Sequence, residues 1–142
     1  MINDVEEGLD LKLDFQKLNS VQAVGGLIPV AVQDIDSGEV LMIAYTNQLA
    51  LDKTIETGRG VFWSSSRNEL WYKGKTSGDI LEVEEIRVNC EQNSLLYRVR
   101  LPTGSMCHTS DTDGNQRYAC YYRRVHDDKK LSFVKSSPYS GK

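Results

Sequence analysis

The sequence predicts an α+β fold, a mostly antiparallel sheet with one main helix. Short β-rich runs recur between turn signals, and a single stretch carries helical spacing between a good N-cap and a glycine stop. The length of 142 residues suits one domain with a real core. The composition, 39% hydrophobic and 26% charged, is that of an ordinary globular protein, and a net charge of −3 gives no basic footprint for nucleic acid. No window approaches a membrane span, and the acidic start MINDVEEGLDLKLDF lacks the apolar stretch of a signal peptide. A cytoplasmic protein without a membrane partner is expected.

Residues 1–24 are mixed and polar, with Leu9, Leu11, Leu13, Phe15 and Leu18 supplying an apolar pattern compatible with a short helix or an extended arm. GLIPVAVQD (26–34) and EVLMIAY (39–45) read as strands joined by Asp36-Ser37-Gly38, a hairpin turn with Gly where φ must be positive. Asn47 caps a helix through Leu49, Ala50, Leu51, Thr54 and Ile55, and Gly58 ends it. GVFWSS (60–65) and LWYKG (70–74) flank the polar turn Ser66-Arg67-Asn68-Glu69. DILEVEEIRVN (79–89) and SLLYRVRL (94–101) form a longer pair, and the imperfect alternation of Ile80, Val83, Ile86 and Val88 predicts a bulge near Glu84-Glu85. Cys90 falls in the turn between those strands. YACYYRRV (118–125) reads as a last strand carrying Cys120, and SSPYSGK at the end reads as frayed.

Cys90, Cys107 and Cys120 are the only cysteines, and His108 sits directly beside one of them. An odd count in a reducing compartment argues against a disulfide framework and leaves metal binding or plain burial. Three thiolates leave one corner of a tetrahedral zinc open, where a bound water has its pKa lowered to about 7. Because no CxxC knuckle occurs, spacing alone does not separate a zinc site from three unrelated buried thiols. Around Cys90, Asn89, Glu91 and Asn93 alternate with the thiol at period two, which would set oxygen ligands suited to Mg²⁺ on one side and sulfur on the other. A plain polar turn explains the same residues. Residues 64–78 combine aromatic rings for stacking, Arg and Lys for phosphate, and small hydroxyl or Gly residues for close backbone approach, the composition of a nucleotide pocket or of an amphipathic hairpin.

GLIPVAVQD, GEVLMIAY and the following Asn, SSSRNELWYKGKTSG, the cysteine among oxygen-bearing residues, the Cys-His pair and Cys-Tyr-Tyr-Arg occur in that order. The arrangement resembles phosphoribosyl-AMP cyclohydrolase of histidine biosynthesis over roughly residues 25–125. That resemblance divides the chain into an N-terminal arm or short helix (1–24), a cyclohydrolase domain (25–125) and a C-terminal tail (126–142). It implies hydrolytic opening of the adenine ring of N1-(5-phosphoribosyl)-AMP between N1 and C6 by a zinc-activated water. It also implies Mg²⁺ near the nucleotide phosphates and an intertwined homodimer across which the zinc ligands are shared. Carried over by position, Cys90, Cys107 and Cys120 become zinc ligands, His108 the general acid/base, and Asn89, Glu91 and Asn93 the magnesium set. Ser64, Ser66, Arg67, Trp71, Lys73, Gly74, Thr76 and Ser77 become substrate contacts.

Three departures stand out. The family usually carries Asp at the positions of Asn89, Glu91 and Asn93, and its Ser-Arg-Ser-Arg reads Ser64-Ser65-Ser66-Arg67 here. The loop between Cys107 and Cys120 is longer than the family's common form, so Asp111 and Asp113 become candidate replacement carboxylates and Arg117 a candidate replacement cation. The diluted acidic set also motivates an alternative, a zinc- and nucleotide-binding homologue without turnover. A nucleobase deaminase is disfavoured, since neither its His-x-Glu nor its Cys-x-x-Cys occurs.

Overall fold

The computed structural model describes residues 4–10 and 26–134. Alternating burial along β1 (Ile28–Asp34) and β2 (Val40–Thr46) places Val30, Val32, Leu41 and Ala44 in the core. The two strands pair antiparallel through the expected turn, where Gly38 adopts φ 81°. Helix α2 (Gln48–Thr57) follows a one-turn α1 (Asp4–Glu7) far upstream. Asn47 accepts from the Ala50 amide at its start, and Gly58 closes it with φ 71°. Its buried Thr54 hydroxyl both accepts from the Val61 amide and donates to the Val61 carbonyl, each at 3.0 Å, which pins the helix to β3 (Val61–Ser64).

The remaining strands are β4 (Glu69–Tyr72), β5 (Glu82–Val88), β6 (Leu95–Arg100), β7 (Arg123–Val125) and β8 (Leu131–Phe133). Six of them form one sheet in the order β4-β3-β2-β1-β6-β5, and β7 and β8 make a separate ribbon. The bulge expected near Glu84-Glu85 is present as a register shift between Val83 and Glu85. The sheet is mostly antiparallel, with one pair unforeseen: β6 lies parallel to β1, because the chain returns across the sheet and inserts the β5-β6 hairpin beside β1. Tyr97 and Phe62 stack at 5.8 Å between centroids in the core, and Trp71 packs on Phe62 at 5.7 Å.

The expected strand over 118–125 is shorter than its composition implies. Only Arg123–Val125 is strand, because the preceding backbone groups bond elsewhere: the Tyr118 carbonyl accepts from Met106 and the Cys120 amide donates to Leu41. The β8 partner lies in the segment read as tail. Leu11, Leu13, Phe15 and Leu18, and the SSPYSGK end, lie outside the described residues. No helix among the described residues is long and apolar enough to cross a membrane.

Candidate active site

Cys107 and Cys120 meet because the chain between them folds back on itself. Met106 and Cys107 donate backbone hydrogen bonds to Tyr118 and Arg117, and Arg117 donates to Thr109. At the tip, Asp111 accepts through one carboxylate oxygen from the amides of Asp113 and Asn115, and Gly114 takes φ 81°. The returning strand is fixed to the sheet by the Cys120 amide on the Leu41 carbonyl at 2.8 Å. Gln116 reinforces the closure: its side-chain amide donates to the Cys107 carbonyl and to Asp79, both at 2.8 Å, and Thr103 donates to the other Asp79 oxygen. Asp79 thereby ties the thiol loop to the turn that follows β4.

Each of the two thiols shifts the other's pKa. The hydrogen bond from Cys120 draws the Cys107 thiol down to about 5, with the Thr109 hydroxyl 3.1 Å from its sulfur and the nearby His108 adding to the effect against burial. The same hydrogen bond, with burial, pushes the Cys120 thiol up. Lys73 stands close enough that both sulfurs favour its charged form, but burial dominates and lowers its pKa; its ammonium donates to the Asp79 carbonyl at 3.1 Å.

A cleft of about 560 Å³ opens beside Cys120, walled by β4, the turn after it and the thiol loop. Arg67, Trp71, Lys73, Gly74, Thr76 and Ser77 line it, as do His108 and Cys120. Ser64 and Ser66 instead line a neighbouring hollow of about 310 Å³, with Trp71 as the shared wall. Gly74, at φ 84°, is there because no side chain fits: a Cβ would sit 2.4 Å from the backbone of Asp79 and Ile80.

Cys90 does not join Cys107 and Cys120. It is exposed on the turn after β5, and β5 lies three strand spacings from β2, roughly 14 Å across the sheet. Among the described residues no group of three or more His, Cys, Asp or Glu side chains gathers to hold a metal. Beside Cys90, Asn89 accepts from the amides of Asn93 and Ser94 and donates to the Asn93 side chain at 2.6 Å, so both asparagines are spent on closing the turn.

Arg117 is not the replacement cation that the loop's composition implied. It is buried, its guanidinium forks onto both carboxylate oxygens of Glu7 at 2.7 and 3.0 Å, and it stacks over Tyr122 at 4.1 Å. Glu7, Asp79 and Gln116 had no local signal, since each acts on a residue distant in the chain. Thr109 did, standing two residues from Cys107 with a hydroxyl suited to a thiolate.

The chain matches the family model described as Phosphoribosyl-AMP cyclohydrolase over residues 42–122. A relative of that name from Desulfatibacillum aliphaticivorans is 42% identical over 119 residues, covering 84% of this chain and 86% of the relative. One from Hyphomonas neptunium is 52% identical over 109 residues, 77% of each chain, and one from Archaeoglobus fulgidus 48% identical over 104, 73% of this chain and 90% of the relative. A match of this extent, spanning the cleft residues, Cys107, His108 and Cys120, means that the chain belongs to the phosphoribosyl-AMP cyclohydrolase family of hydrolases.

Proposed function

We propose that the chain opens the adenine ring of N1-(5-phosphoribosyl)-AMP between N1 and C6 in histidine biosynthesis. The observation that carries this reading is the convergence in one cleft of an aromatic ring, two cations, a close-approach glycine and a histidine beside a thiol pair. Trp71 stacks on the base, a contact worth about 1–3 kcal/mol. Arg67 and Lys73 donate to phosphate oxygens, and Gly74, Thr76 and Ser77 let the nucleotide approach the backbone. In the hydrolysis, the oxygen of water ends on C6, the N1–C6 bond breaks, and His108 delivers the proton to the departing N1.

The donor chemistry fits zinc, which favours thiolate sulfur: Cys107 is buried and acidified, and Cys120 adjoins it. Cys90 of the partner subunit supplies the third sulfur in an intertwined homodimer, since the same chain's Cys90 stands too far away. The exposed apolar Ile43 and Tyr121 support a second copy as neighbour. Bound there, zinc supplies Lewis-acid activation of the attacking water. The Asn89, Glu91 and Asn93 turn does not fit magnesium in this conformation, because two of its three side chains are bonded to the turn itself. Any Mg²⁺ requirement enters with the substrate's own phosphates.

Synthetic phosphoribosyl-AMP given to the zinc-loaded protein should be consumed with the absorbance change of ring opening. Saturable nucleotide binding without that change would sink the assignment and leave the homologue that binds without turnover.

A further inference from the structure

We infer that Glu6 is a positioning residue for the reaction, holding the His108 imidazole from a segment 102 residues away in sequence. The inference rests on His108 as the proton carrier proposed above. The Glu6 carboxylate meets His108 Nε2 at 2.5 Å. A carboxylate only accepts, so the ring nitrogen facing it bears the hydrogen and the neutral ring keeps its lone pair on Nδ1. One contact thus fixes both the tautomer and the plane of the imidazole, whose side chain is 77% exposed at the cleft rim.

Glu6 can do this because its own carbonyl and the residues that follow it are tied down. Tyr122 donates its hydroxyl to the Glu6 carbonyl at 2.9 Å. The neighbouring Glu7 is gripped by buried Arg117, Arg123 donates to the Gly8 carbonyl at 2.8 Å, and the Leu131 amide donates to Leu9. The ties come from the thiol loop and the β7-β8 ribbon and hold in place a carboxylate that reaches His108. The pair is solvent-exposed, and exposed pairs contribute little to stability, so its consequence should be read in the chemistry. Glu6 precedes the 42–122 span matched by the family model, so the family match assigns it no role.

The test is a double-mutant cycle on the zinc-loaded protein, with ¹⁵N spectra of the His108 ring. Glu6→Ala should lower kcat on the order of 10–100-fold, the cost of a misplaced catalytic group, with KM and Tm nearly unchanged. Glu6→Gln, whose amide oxygen still accepts, should recover part of that loss. Glu6→Ala combined with His108→Ala should be no slower than His108→Ala alone. In the spectra, wild type should show hydrogen on Nε2 and Glu6→Ala a mixture of tautomers. Losses that multiply in the double mutant overturn the inference, as does wild-type kcat in Glu6→Ala beside a slow His108→Ala. If His108→Ala turns over normally, the proton-carrier assignment fails instead. Unchanged ring spectra in Glu6→Ala overturn the positioning role whatever the kinetics.

Discussion

Gly74 and Gly78 share a left-handed backbone, each with φ 84°, but not the same surroundings. At Gly78 an added Cβ meets open space, while at Gly74 it would strike the Asp79–Ile80 backbone at 2.4 Å. Gly78→Ala therefore carries only the left-handed penalty, about 1–2 kcal/mol. Gly74→Ala carries that and must also move Asp79, which anchors Thr103 and Gln116 and so the Cys107 carbonyl. We expect Gly74→Ala to lower Tm further than Gly78→Ala and to raise KM, because the displaced turn bears Lys73, Thr76 and Ser77. Equal melting temperatures and kinetics for the two variants would contradict this account. The residue types of 64–78 were legible because each announces its chemistry locally, a ring to stack or a cation for phosphate. The grips of Gln116 on Cys107 and Glu6 on His108 were not, since no pattern in a single chain links positions nine or 102 residues apart.

At the scale of elements, α2 was readable because Asn47 and Gly58 mark its ends by backbone geometry that other residues adopt poorly. The bulge in β5 was readable because slipped alternation has few other causes. The strand expected over 118–125 formed only at Arg123–Val125 for the complementary reason: aromatic residues before it satisfy β propensity, but the backbone groups that would complete a ladder bond elsewhere. The N-terminal turn α1 had no sequence signature of its own and is held by what it meets, chiefly the Glu7–Arg117 fork. That fork predicts a pH dependence. The hydrogen bond from Arg117 holds the Glu7 carboxyl below its ordinary 4.5. A depressed carboxyl contributes stability that is fully present above its unfolded pKa and is lost as pH falls through the lower folded value. The Tm difference between wild type and Glu7→Gln should thus be constant above about pH 5 and shrink as the solution is acidified below pH 4. A difference that stays level down to about pH 3 would place the stabilisation in packing around Arg117 rather than in the charge of Glu7.

At the scale of the whole molecule, the three cysteines were visible as a set in the sequence, but their distribution in space was not. The parallel β1-β6 pairing sends the β5-β6 turn, with Cys90, to the far side of the sheet from β2, against which Cys120 is fixed. A zinc site that needs all three sulfurs then has to be built from two copies, with Cys107 and Cys120 from one and Cys90 from the other. This arrangement makes a quantitative prediction. Cys90→Ser and Cys107→Ser should each lose zinc and turnover as homodimers, since every site lacks a ligand. In a dimer formed from one chain of each, the site built on the Cys90→Ser chain's intact loop receives Cys90 from the other chain and is whole, while the second site is doubly broken. Random exchange makes about half the dimers mixed, each with one good site of two, so activity and bound zinc should return to about a quarter of wild type. Mass spectrometry of differently labelled chains verifies that exchange has occurred. If mixed dimers form and neither zinc nor turnover returns, the three thiols do not share one metal across the interface, and Cys90 has to be assigned another role.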